Sequence, residues 1–170
     1  MALVLFHLDV DETLLRTSRL KQPLFSRVAT FLRLTSEEVT EHYEEARRQN
    51  AGRVDMHAVF FRWFSHHHNP ELTQKDPEQL FQLMIPEWFA DIHHEYGESL
   101  LIDGVVAFAA AIPTNRVYAL TQEASVPYQH MKCNEFLPWQ FLPENREIVS
   151  QKTPEIYADS LVRWRGRHEP

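Results

Sequence analysis

The apolar run Leu3 to Leu8 passes directly into two carboxylates, Asp9 and Asp11, placed two residues apart. A short apolar segment ended by acid reads as a buried β-strand. Period-two geometry then sets both carboxylates on one side of the extended chain. Like charges so close repel, and a divalent cation is the group that most directly relieves that repulsion.

From Thr17 to about Tyr96 the pattern is helical. Thr35 stands three residues before Glu38, a capping box, and Glu44 and Arg48 sit one helical turn apart in the favourable order. The segment 52–64 is aromatic on several sides, which predicts a helix wedged between others. Asp76 as N-cap, Pro77 at the first helical position and Gln79 closing a second box predict another helix, which Pro86 should kink or split.

After Gly104 the rhythm becomes an alternation. Residues 105–112 read as a helix, and Pro113, Thr114 and Asn115 as a turn. Residues 116–121 are apolar on both faces, as in a central parallel strand. A helix over 125–136 and a short strand over 146–150 follow. The last helix, over 153–164, has Thr153 as N-cap and Pro154 in its first turn. One strand, a long helical insertion and then β-α-β-α define an α/β chain with a parallel sheet. Ligands bind such sheets beyond the carboxyl ends of the strands. Asp9, Asp11, Thr121 and Lys152 all lie at or just past a predicted strand end, so four chemically useful groups converge on one edge.

With 170 residues, 44% of them hydrophobic and 12% aromatic, the chain can build one domain with a real core and a small insertion. A formal net charge of -7 argues against a general nucleic-acid binder. It does not exclude a phosphorylated substrate, because a local cation site overrides the global sign. The single cysteine, Cys133, allows no internal disulfide and points to a reducing compartment. The first ten residues lack a basic leader and a cleavage site, and no stretch reaches the length of a membrane span. The expectation is a cytoplasmic protein with neither membrane nor nucleic acid as partner.

Three stretches in order, "DVDETL", "RVYALT" and "KTPEIYADSL", resemble the first three motifs of the haloacid dehalogenase (HAD) superfamily of phosphohydrolases. The resemblance implies a Rossmann-like three-layer parallel-sheet core, truncated at the C-terminus, formed by residues 1–16 and 100–170. It also implies an inserted α-helical cap of the C1 type over residues 17–99. Asp9 would be the nucleophile, forming an aspartyl-phosphate. Asp11 would protonate the leaving oxygen and then activate water. Thr13 would tighten the loop and hold Asp11 in place. Thr121 would donate a hydrogen bond to a phosphoryl oxygen, and Lys152 would neutralise phosphate and nucleophile charge. A Mg²⁺ ion would bind the Asp9 carboxylate and the Asp11 backbone carbonyl. The implied activity is Mg²⁺-dependent hydrolysis of a small phosphorylated metabolite.

The chain departs from the family pattern in two places. Lys152 is followed by Thr153, and its spacing to Glu155 is one residue shorter than in the commonest form. No apolar strand ending in acidic residues follows Lys152, so the fourth motif, which completes the metal site, is missing. Asp159 falls within the last predicted helix and Glu169 in a polar tail, and neither substitutes for it. Without that strand the first strand becomes an edge open to pairing with a second copy of the chain. Two alternatives follow: a truncated or degenerate relative acting as a binding or interaction module, and a 2-haloacid dehalogenase, which has no need of Asp11.

Other residues have plainer readings. His66, His67, His68, His93 and His94 lack the spacing of helical metal ligands and read as surface groups. His7 reads as a hydrogen-bonded core histidine. Phe60, Phe61, Trp63 and Phe64 read as helix core, and Cys133 as a small buried apolar residue. Arg47, Arg48 and Arg53 can reach a substrate from the helical segment, against the default of a solvated face.

Overall fold

The computed structural model describes residues 6–138, 141, 143–149 and 151–168. Within them the chain is a mixed α/β structure, mostly helical, with a small parallel sheet of three strands: β1 (Phe6–Leu8), β2 (Val117–Gln122) and β3 (Arg146–Val149), in the order β1-β2-β3. Phe6 pairs with Val117 and Leu8 with Ala119 on one side of β2, and Ala119 pairs with Arg146 and Thr121 with Ile148 on the other. Residues 3–5 of the expected first strand and Ser150 of the expected third lie outside the described residues.

The central position of β2 follows from its composition. Val117 through Thr121 are all buried, and alternate side chains serve different clusters. Val117 and Ala119 join the main core, while Tyr118 and Leu120 pack with Trp164 of the last helix. A strand with apolar groups on both faces is stable only where both faces are covered.

Among the described residues, five of the seven α-helices lie between β1 and β2 in the chain: α1 (Thr17–Leu32), α2 (Ser36–Gln49), α3 (Met56–Ser65), α4 (Pro77–Tyr96) and α5 (Val105–Ala111). The remaining two are α6 (Val126–Phe136) and α7 (Pro154–His168). Local chemistry sets their ends. Thr35 and Glu38 form a reciprocal capping box on α2. Asp76 caps α4 by accepting from the Glu78 N–H at 3.0 Å, whereas the expected Gln79 bond is not formed among the described residues. The Thr153 hydroxyl accepts from Ile156 N–H at the start of α7. Glu44 pairs with Arg47 at 3.5 Å rather than with Arg48, using the three-residue instead of the four-residue spacing that also shares a helix face.

Pro86 does not split the helix, and α4 runs continuously from Pro77 to Tyr96. A proline removes one intrahelical hydrogen bond. Buried Phe81, Ile85, Trp88, Phe89 and Ile92 hold the helix in place on both sides of it. These side chains share the main core with Phe60 and Trp63 of α3. Trp63 is wholly buried and its indole N–H donates to the Val39 carbonyl at 3.0 Å. Truncating a buried aromatic of this kind costs about 3–5 kcal/mol.

The two crossings between the sheet and the helical segment are held side by side. Arg16 N–H donates to the Leu100 carbonyl at 2.7 Å and Ile102 N–H to Leu14 O at 3.0 Å. The Arg16 guanidinium adds bonds to the Leu101 carbonyl at 2.8 Å and to Asp103 at 2.7 Å. Entry and exit of the segment are thus adjacent. No helix among the described residues is long and apolar enough to cross a membrane.

Candidate functional site

Asp9 leaves the end of β1, and the chain then turns tightly around the Val10 carbonyl. That carbonyl accepts from Leu14 N–H and Leu15 N–H, each at 2.9 Å. Closing the turn places Glu12 at φ 55°, a left-handed conformation that non-glycine residues rarely adopt. Strain of this sort concentrates at functional sites. Here it folds the chain so that Asp9 and Asp11 take different partners.

Asp9 faces Lys152. The ammonium lies 2.5 Å from Asp9 Oδ2, and Asp9 Oδ1 accepts the Val10 N–H at 2.7 Å. Lys152 follows β3 and Asp9 follows β1, so this ion pair crosses the carboxyl end of β2. The loop is anchored there by Lys152 N–H donating to Gln122 Oε1 at 3.2 Å.

Asp11 belongs to a second, more enclosed cluster. Its Oδ1 receives Lys132 Nζ at 2.6 Å and the Thr17 hydroxyl at 2.5 Å, and its Oδ2 accepts from Gln129 Nε2 at 3.1 Å. The same Gln129 nitrogen lies 2.8 Å from the Thr121 hydroxyl, so Gln129 links Asp11 to the end of β2. Burial pushes the Asp11 carboxyl up, but the Lys132 charge and the bonds from Lys132, Thr17 and Gln129 bring it below the ordinary carboxylate range. Glu123, next along from β2, moves the other way. Burial raises it against the pull of Lys132, and its Oε1 accepts from Ala124 N–H and Ser125 N–H.

The four sequence-selected groups therefore lie along one sheet edge in two linked sets, Asp9 with Lys152 and Asp11 with Thr121. Thr13 does not take the place expected for it. It is exposed, and the threonine bonded to Asp11 is Thr17, one helical turn further along the chain. His7 is half-buried against Tyr118 and Tyr157. Its Nε2 has no hydrogen-bond partner among the described residues, contrary to the expected core hydrogen bond. Burial lowers its pKa, with the Lys152 charge acting in the same direction.

Lys132, Gln129 and Thr17 were not singled out by sequence reasoning. One signal was present. In α6 the buried positions are Tyr128, Gln129, Lys132, Cys133 and Phe136, a helical stripe in which a glutamine and a lysine stand among apolar groups. Lysine is almost never fully buried without a partner, so its place on that stripe calls for a carboxylate.

A cavity of about 580 Å³ adjoins Asp11, between the sheet edge and the helical segment. Such a volume suits a small molecule. Its polar wall includes Lys21, Arg47, Arg53 and Lys132, with Asp11 and Glu123, and Phe25, Tyr43, Met56 and Tyr128 contribute apolar surface. Arg47 and Arg53 thus line it, while Arg48 does not.

Among the described residues, no three or more histidine, cysteine, aspartate or glutamate side chains gather as a metal-binding group. The histidines at 66–68 do not form one, and His93 instead pairs with Glu135 at 2.9 Å. At the sheet edge the donors suited to a hard cation are the half-exposed Asp9 carboxylate and neighbouring backbone carbonyls. An ion such as Mg²⁺ commonly uses one or two carboxylates and completes its shell with water and substrate phosphate; here the two Asp9 oxygens are already engaged by the Val10 N–H and Lys152.

No protein-family model matches this chain, and searches of curated proteins and of solved structures return no match.

Proposed function

We propose that the protein is a Mg²⁺-dependent phosphomonoester hydrolase of the HAD type, with residues 1–16 and 100–170 as a Rossmann-like core and 17–99 as its helical cap. One observation carries the reading: the Asp9–Lys152 pair at 2.5 Å, across the carboxyl ends of parallel strands and beside Asp11. A nucleophilic carboxylate, a cation to balance phosphate charge and a second carboxylate for proton transfer are the groups phosphoryl transfer requires.

Asp9 attacks phosphorus, forming an Asp9–phosphoryl bond as the bond to the leaving alcohol breaks. Asp11 gives that alkoxide its proton. Lys152 offsets charge on the transferring group, and Thr121 donates to one of its oxygens. In the second half Asp11 takes a proton from water as the water attacks phosphorus, which frees phosphate and restores Asp9. The Asp9 carboxylate and the Asp11 carbonyl would hold Mg²⁺, which supplies further charge stabilisation to the phosphoryl oxygens. Lys132 favours Asp11 as a carboxylate, the form needed for the water step. An arriving phosphate dianion raises the proton affinity of Asp11 through like-charge proximity, which favours the form needed first.

Hydrolysis of p-nitrophenyl phosphate with and without Mg²⁺, for this chain and Asp9→Asn, tests the proposal. The expected result is turnover that requires the metal and is lost in the variant. Equal rates from chain and variant would overturn it. A second reading, a non-catalytic binding module, is favoured by one feature: both oxygens of Asp11 are already engaged by neighbouring side chains. It predicts ligand binding without turnover.

A further inference from the structure

We infer that the cavity beside Asp11 selects a phosphate ester whose body is apolar or aromatic and carries a second anionic group, held by Lys21 and Arg53. The inference rests on the phosphatase reading for the phosphate end and adds the chemistry of the remainder.

Charge accounting across the wall carries it. Of the four cations lining the cavity, Lys132 is held by Asp11 at 2.6 Å and Arg47 faces Glu44 at 3.5 Å. Lys21 and Arg53 pair with no carboxylate among the described residues. Lys21 Nζ instead lies 4.9 Å from the centre of the Tyr43 ring, itself part of the wall. The two carboxylates of the wall do not balance these cations. Asp11 belongs to Lys132, and Glu123 is turned onto the Ala124 and Ser125 N–H groups. Unbalanced positive charge at one cavity of an acidic chain concentrates anions there.

The backbone at Arg53 is also ordered before a ligand arrives. Helix α2 ends at Gln49 with Asn50 as its C-cap, and two consecutive residues of positive φ follow, Ala51 at 52° and Gly52 at 86°. Gly52 N–H returns to the Arg47 carbonyl at 2.8 Å and Arg53 N–H to Asn50 O at 3.0 Å. Two residues on, Asp55 caps α3 through His57 N–H and Ala58 N–H. The backbone that presents Arg53 is therefore tied at both ends, which lowers the ordering cost of binding. Leu20, Leu24, Phe25, Met56 and Tyr128 line the space between. This surface suits a ring or branched hydrocarbon.

The experiment compares phenyl phosphate with 4-carboxyphenyl phosphate, in Mg²⁺, on the full chain and on the double variant Lys21→Ala/Arg53→Ala. The carboxylated ester should be preferred by about tenfold in kcat/KM, the effect of one or two charge-assisted contacts. That preference should fall to near one in the double variant and persist in Lys21→Arg/Arg53→Lys. Turnover of both esters with equal efficiency would overturn the inference while leaving the phosphatase reading intact. Absence of turnover would end the phosphatase reading instead. The inference is then decided by calorimetric titration with phenylphosphonate and 4-carboxyphenylphosphonate. Tighter binding of the carboxylated compound, lost in the alanine variant, supports it, and equal or absent binding of the two overturns it.

Discussion

Lys132, 1% exposed, places its ammonium 2.6 Å from the Asp11 carboxylate, 121 residues earlier in the chain. The two partners are unequally buried, since the Asp11 side chain keeps 31% of its exposure. Removing one member of a buried pair leaves the other uncompensated, and the penalty grows with the burial of the member left behind.

Asp11→Asn should therefore destabilise the protein more than Lys132→Met does. Asp11→Asn strands a fully buried cation, at an expected cost of about 3 kcal/mol. Lys132→Met leaves a carboxylate that can still meet water. Urea denaturation of both single variants and the double variant checks this, with the double expected to be more stable than Asp11→Asn alone. A double variant as unstable as the sum of the two singles would refute the coupling.

The pair at the other side of the edge should behave differently. Lys152 is 16% and Asp9 42% exposed, so their attraction is partly screened and adds little to folding. On the proposed phosphatase reading, Lys152→Ala should lower the rate by at least about 10²-fold, as loss of one transition-state charge does. Its unfolding midpoint should move little. A large stability loss with the rate unchanged would assign Lys152 a structural role.

A network on the far face of the sheet makes stability depend on acid. Glu147 accepts from the Tyr118 hydroxyl and from Arg163, and Ser160 Oγ lies 2.8 Å from the same carboxylate and 2.7 Å from the Tyr118 hydroxyl. Burial raises the Glu147 carboxyl, but the bonds from Tyr118 and Ser160 and the Arg163 charge bring it below its ordinary value. A depressed carboxylate contributes stability that is complete above its unfolded pKa and is lost as pH falls through its folded pKa. Glu147→Gln should cost about 1–2 kcal/mol near neutral pH. It should also flatten the decline in melting temperature below the ordinary carboxylate range. Parallel acid limbs for variant and parent would count against the network.

Arg33 ends α1 in the left-handed region, at φ 56°. Its ion pair with Glu71, at 3.3 Å, is exposed on both sides and contributes little. Glycine relieves the backbone penalty at such a position. Arg33→Gly should raise stability by about 0.5–1 kcal/mol, measured as a higher denaturation midpoint. A lower midpoint would show that the ion pair outweighs the backbone.

Sequence by itself determined what depends on near neighbours. Thr35 with Glu38, Asp76 with Pro77, and Thr153 with Pro154 marked helix starts because a cap is made within three residues. The run from Val117 to Thr121 disclosed a strand covered on both faces, since every position is apolar or small. The carboxyl ends of such strands drew Asp9, Asp11, Thr121 and Lys152 to one edge. Tertiary structure decided the partners. Thr17 rather than Thr13 holds Asp11, because the turn at Glu12 sends Thr13 outward. Helix phase puts Lys21 at the cavity and leaves Arg48 in solvent, while the turn after α2 brings Arg53 to the wall. Lys132 and Gln129 reach Asp11 only once α6 packs against α4 and the sheet, a meeting across more than a hundred residues that no local pattern records.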